Sequence, residues 1–301
     1  MATQSKSPAI LSVAGKGKKR PLHKSIGLHA FLIFMTVFAV LPAVITFFNS
    51  FKSENEITSA RGLKILPEVW TLEPYRKVLT ENDGEFLTWF MNSIIAAVVT
   101  TVVGLFLSST AAYALSRYKF PGYRSALNSF LITQMFPAAI LMVPIYAMLV
   151  KFPIFGFTML DSRAGLLCAY STIAVPFCTW MLKGYFDTIP IAIDESGLMD
   201  GLTPFGTFWR LVLPLALPGL AVTSFYTFIT AWNEVAFANV ILLSPELFTL
   251  PLGLRTYVFQ FDQSWERLSA AAVLVTIPAL IVFMSAQRYL VSGLSRGAVK
   301  G

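Results

Sequence analysis

Apolar and polar residues alternate along this chain on the scale of a lipid bilayer rather than of a helix turn. Six mostly apolar stretches stand out, at about 28–48, 90–115, 126–150, 164–183, 211–232 and 269–291. Each meets the ~20 residues that an α-helix needs to cross the hydrocarbon core. The pattern predicts an all-α integral membrane protein with six transmembrane helices. Prolines fall inside several spans, at Pro42, Pro137, Pro144, Pro176, Pro214, Pro218 and Pro278. In lipid they are tolerated where neighbouring helices satisfy the freed carbonyls, so they predict a kinked bundle packed around a pathway.

Composition agrees. Hydrophobic residues make up 55% of the 301, charged residues 13%, and mean hydropathy is +0.66. A soluble domain carries about 25% charged residues. The two cysteines, Cys168 and Cys178, lie in one apolar stretch with no ligating neighbours and read as small buried hydrophobes. Residues 1–27 form a basic tail with Lys16, Lys18, Lys19, Arg20 and Lys24. The run after it, Leu28–Phe48, is longer than a signal-peptide core and lacks a small-residue cleavage site. It reads as an uncleaved first span opening a single domain at 28–301.

Charge sets a direction. With the amino terminus placed in the cytoplasm, inside segments hold 14 of the 23 Lys and Arg residues, and outside segments hold 12 of the 16 acids. The positive-inside rule then expects both termini in the cytoplasm of a bacterial inner membrane. It also exposes the 188–214 connection to the cytosol.

That connection has more internal order than a loop needs. It reads TIPIAIDESGLMDGLTPFGTFWRLVLP. Pro190 suits a helix start, and Asp194 and Glu195 fall in its early turns, at the positive end of the dipole. Leu198, Met199 and Leu202 give it an apolar stripe. Gly201 interrupts it where a side chain would hinder the turn. Thr203-Pro204 reads as a fresh cap and first turn. The prediction is two short helices joined by an elbow, with an acidic and apolar surface shaped for another protein.

Glu195-Ser196-Gly197, three residues, Gly201, nine residues, then Leu211-Val212-Leu213-Pro214 resembles the EAA signature of permease subunits of ATP-driven (ABC) importers. The spacing is complete. Ser196 and Gly197 stand where the family has alanines, and Leu211 where it has isoleucine. The helical Gly197 costs roughly 1 kcal/mol relative to Ala. Met181–Phe186, Ala286–Val291 and the closing Gly297–Gly301 extend the likeness, which is nearest the sugar-uptake, MalFG-like branch.

The resemblance implies a type I importer permease fold and a role without catalysis. No cofactor belongs to the chain, because Mg-ATP would be bound by a separate ATPase. It implies the lipid bilayer and three protein partners: a second, MalF-like permease, a MalK-like ATPase homodimer and an external solute-binding protein. Expected coupling residues are Glu195, Ser196, Gly197, Leu198, Met199, Asp200, Gly201, Phe205 and Pro214, with Val299 and Lys300 from the tail. Tyr226, Thr230, Trp232 and Asn233 are the chosen pathway candidates, from a wider set with Asn92, Gln134, Tyr146 and Tyr170. The 233–268 loop, rich in aromatics, reads as interfacial or as the surface for the solute-binding protein. Maltose, maltodextrin or a related oligosaccharide is the implied cargo.

Other chemistries lack their residues. No G-x-x-x-x-G-K-[ST] motif cradles a nucleotide, and no H-E-x-x-H holds zinc. The two histidines, His23 and His29, lie near the amino end, and no nucleic-acid partner is implied. Acids are essentially missing from the six apolar cores, which argues against a proton-coupled carrier.

Overall fold

The computed structural model describes residues 22–59, 64–80, 84–151, 159–260 and 264–298, and among them it is helical with no strand. The chain divides into two units, 1–45 and 46–301. The first holds most of helix α1 (Leu22–Asn49), whose apolar side chains, Ile33, Phe34 and Phe38 among them, are exposed as a lipid-facing span requires. It begins six residues before the apolar run at Leu28.

The second unit is built on three long helices: α4 (Glu85–Arg117), α7 (Arg163–Phe186) and α11 (Leu217–Trp232). Small residues let α4 and α7 approach closely, with Ala97, Ala112, Ala169 and Cys178 fully buried. Arg163, at the start of α7, donates to Asn92 near the start of α4, so the two run parallel. Trp232, at the end of α11, meets Phe90 at 5.8 Å between ring centres, so α11 runs back. The last helix, α14 (Trp265–Ala298), packs along α11 and closes the unit.

Two of the predicted spans are not straight. The stretch expected at 126–150 is α5 (Tyr123–Met135) and α6 (Ala138–Lys151), bent by 107°. Phe136, the residue between them that precedes Pro137, is extended (φ −80°, ψ 126°), because a proline ring disfavours helical geometry just ahead of it. The stretch expected at 211–232 bends by 81° between Leu215 and Leu217. Pro214 and Pro218 flank that bend, and neither has an N–H for the helix ladder. Counting each bent pair as one span gives six.

Short helices α2 (Glu54–Thr58) and α3 (Glu73–Thr80) lie at the end of the bundle where α4 starts, against α14. The connection after α11 is ordered. It is folded into α12 (Ala236–Ile241), a 3-10 turn (Pro245–Leu247) and α13 (Leu250–Gln260). Phe237, Ala238, Ile241, Leu242 and Leu250 are buried, so this is a packed lid rather than a loose aromatic loop. Asn92 donates to the carbonyls of Glu246 and Phe248, and Ser93 Oγ accepts from Leu250 N–H at 2.7 Å. Buried backbone groups need such partners at membrane depth.

Candidate functional site

The opposite end of the bundle carries the elbow. Its first arm is α8 (Ala192–Met199), which starts two residues beyond Pro190. Gly201 then turns the chain with φ +83°. A Cβ there would meet nothing within 4 Å, so a side chain would hinder the turn through backbone handedness and not through crowding. Thr203 caps the second arm, its hydroxyl accepting from Gly206 N–H at 3.1 Å. That arm is α9 (Pro204–Thr207), a π-helical segment (Phe208–Val212) and α10 (Leu213–Leu215), which carries Pro214 exposed at the bend into α11.

The elbow rests on an aromatic floor. Tyr113 of α4, Phe186 of α7 and Phe208 of the π segment are buried together, with Tyr113 and Phe208 4.8 Å apart. Leu182, Ile189, Val212 and Ala216 complete this core. The floor fixes which face of α8 points inward. Asp194 and Gly197, one turn apart, are buried. Gly197 packs so closely on the second arm that an added Cβ would lie 2.8 Å from both Leu211 Cδ1 and Thr207 Oγ1.

Asp194 is held at both oxygens. Tyr113 Oη donates to Oδ1 at 2.6 Å, and Arg117 Nε to Oδ2 at 2.9 Å. The guanidinium also donates to the carbonyls of Phe186 (3.2 Å) and Ile189 (3.0 Å), at the carboxyl end of α7. A planar fork of five donors suits this task, and a helix carboxyl end attracts cations. Sequence reasoning placed Asp194 and Glu195 together as one acidic stripe and gave Arg117 no role. The structure separates the two acids: Asp194 faces inward and Glu195 outward. The readable signal was spacing, since Asp194 sits three residues before Gly197, on the face that must be seated.

What remains outward is a compact surface. Glu195, Ser196, Leu198, Met199, Asp200, Gly201 and Phe205 are all exposed, Met199 by 88% and Phe205 by 61%. Phe205 stacks on exposed Trp209, with ring centres 6.3 Å apart. Apolar groups this exposed, rimmed by two acids, mark a surface for a partner. A cleft of about 150 Å³ lies beneath Glu195 and Leu198, floored by Tyr113, Arg117 and Thr207. Val299 and Lys300 lie outside the described residues.

The pathway candidates are less coherent. Tyr226 and Thr230 share one face of α11, the Thr230 hydroxyl bonding the Tyr226 carbonyl at 2.8 Å. Both are half-buried, and Tyr226 packs on Phe177. Asn233 is exposed and bonds the Ile229 carbonyl. Trp232 differs: it is 1% exposed, inside the core against Phe90 and Phe228. Among the described residues, no cluster of His, Cys, Asp or Glu could hold a metal ion.

Known proteins resemble this chain over most of its length. Residues 104–296 match the family described as binding-protein-dependent transport system inner membrane component. The chain is 35% identical to the inner membrane ABC transporter permease protein YcjP of Escherichia coli (strain K12), over 94% of this chain and 99% of that one. It is 36% identical to the maltose/maltodextrin transport system permease protein MalG of Vibrio vulnificus (strain YJ016), over 96% and 99%. One chain of a crystal structure of a bacterial ABC transporter, involved in the import of the acidic polysaccharide alginate, aligns with a TM-score of 0.77 at 25% identity. It covers 89% of this chain and 96% of that one. Helical bundle, broken spans and sequence likeness over most of the chain converge, and this protein belongs to the inner-membrane permease family of binding-protein-dependent ABC transport systems.

Proposed function

We propose that this chain is the permease subunit of an importer for maltose, maltodextrin or a related oligosaccharide, and that its elbow is the plug for a separate ATPase. The observation that carries the reading is the outward face of the elbow: Glu195, Leu198, Met199 and Phe205 exposed together on a seated turn whose second arm Thr203 caps. The names of its relatives, which transport maltodextrins and alginate, support a carbohydrate cargo.

In this reading, two MalK-like ATPase subunits close on ATP. One cleft grips this elbow and the other grips that of a MalF-like partner permease. Closure turns both elbows as rigid bodies and switches the pathway between its inward and outward openings. The chemistry of ATP stays in the ATPase, and this chain needs no cofactor. Both termini and the elbow lie in the cytoplasm, and the folded lid at 236–260 faces the solute-binding protein. Tyr226, Thr230 and Asn233 contribute pathway wall, with most sugar contacts left to the companion permease. Val299 and Lys300 reach the ATPase from the tail.

Glu195 is the anionic contact to an arginine in the ATPase cleft. A partly buried charge-assisted bond contributes ~1.5–3 kcal/mol, so Glu195→Lys weakens docking by roughly 10- to 100-fold. The test is capture of the ATPase by tagged permease in detergent, followed by sugar uptake into proteoliposomes. Loss of both is expected. Normal uptake by Glu195→Lys with its ATPase bound would overturn the assignment, and uptake by the purified chain alone, driven by a gradient, would overturn the whole reading.

A further inference from the structure

The elbow is covalently continuous with α7 on one side and α11 on the other, but not with α4. Arg117 and Asp194 are 77 residues apart in sequence, and the chain between them passes through α5, α6 and α7. Any turn of the elbow must therefore reach α4 through side chains. The apolar floor at Tyr113 and Phe208 can slide, because hydrophobic contact is non-directional. The Arg117–Asp194 pair cannot slide without breaking. Its side chains are 6% and 11% exposed, both carboxylate oxygens are occupied, and the same guanidinium holds the carbonyls of Phe186 and Ile189. One side chain thus ties α4, the end of α7 and the first arm of the elbow. We infer that Arg117 and Asp194 are positioning residues that form a rigid joint, passing movement of the elbow directly into α4, the longest helix of the central core.

The inference rests on the elbow being the plug for the ATPase, and adds the route by which its motion enters the bundle. Neither residue belongs to the gripping surface: Asp194 faces inward, and Arg117 lies on another helix. A lysine cannot replace the arginine, because a single ammonium cannot bridge three segments with fixed geometry. A glutamate in place of Asp194 keeps the charge and a reach to the fork.

The test uses the complete importer in proteoliposomes, with the ATPase, companion permease and binding protein, and measures sugar moved per ATP hydrolysed. Asp194→Asn is expected to keep its ATPase bound, while sugar moved per ATP falls about tenfold or more, as the loss of a charged hydrogen bond implies. Arg117→Lys falls likewise, and Asp194→Glu restores most of the ratio. A change in folding alone would lower yield and melting temperature without changing the ratio in the molecules that assemble. If Asp194→Asn does not assemble, Tyr113→Phe carries the test, since it removes one hydroxyl from the carboxylate and leaves the ring; it should lower the ratio by a smaller factor. An unchanged ratio in the assembled variant overturns the joint and leaves the docking reading standing. Failure of the unsubstituted chain to capture any ATPase overturns both.

Discussion

Gly197 and Leu211 fill one space: a Cβ on the glycine would fall 2.8 Å from Leu211 Cδ1. Both lie in the stretch whose spacing resembles the EAA signature. The space a methyl on residue 197 would need is taken by the leucine side chain opposite. Thr207 crowds the same spot at 2.8–2.9 Å and, being β-branched, has little freedom to swing away.

Gly197→Ala should therefore harm this chain. Helix propensity gains ~1 kcal/mol and overpacking costs ~1–3 kcal/mol, which leaves a net loss of up to ~2 kcal/mol. The melting temperature in detergent should fall, and Gly197→Ala with Thr207→Ala should lose less than the sum of the two single changes. Additive losses would show that the contact is not what makes glycine necessary.

A tighter contact occurs at the opposite end. Gly253 of α13 lies flat on Trp89, and a Cβ would sit 2.1 Å from the indole Cε3. The ring cannot move aside, because it is 2% exposed and its Nε1 donates to the Pro245 carbonyl at 2.9 Å. Gly253→Ala should push α13 off α4 and cost ~1–3 kcal/mol or more. Protease sensitivity near residues 243–260 should rise, while ATPase capture by the elbow stays intact. Trp89→Leu should rescue part of the packing. Equal protease resistance in Gly253→Ala would disprove the contact.

Asp161 fastens the same lid. It takes φ 51°, a left-handed conformation that Asp and Asn tolerate better than most side chains. Its carboxylate accepts from the Ser244 hydroxyl, Ser244 N–H and Leu243 N–H. The hydrogen bonds from Ser244 are the main reason its pKa lies below the ordinary carboxylate value. A depressed folded pKa means that the contribution is complete above the unfolded value of ~3.9 and is lost as pH falls through the folded one. The protection of Leu243 and Ser244 amides, taken relative to their intrinsic exchange rates at each pH, should be high and constant from neutral pH to about 5, then fall below about 4. Asp161→Asn should keep the backbone conformation, weaken protection and abolish the acid transition. A persisting transition would assign the titration elsewhere.

The sequence alone determined the membrane class, the six spans and the elbow, because each is a local property. Twenty apolar residues must span or be buried, whatever their neighbours are. Thr203-Pro204 caps a helix through groups three residues apart, and Gly201 was legible as a break that its left-handed φ explains. Glu195 and Met199 could be listed as surface, and they are surface.

Tertiary structure decided which acid faces in, how the spans bend and what the lid covers. Asp194 and Glu195 look alike in one dimension; Tyr113 and Arg117, 81 and 77 residues away, separate them. Trp232 was a pathway candidate by chemistry, and its burial against Phe90 and Phe228 was legible only in three dimensions. Prolines 137, 214 and 218 marked where bends could occur, but the angles of 107° and 81° depend on which neighbours hold the freed ends. Pairings between residues far apart in sequence leave no local pattern, since each half is satisfied only by a partner that folding brings to it.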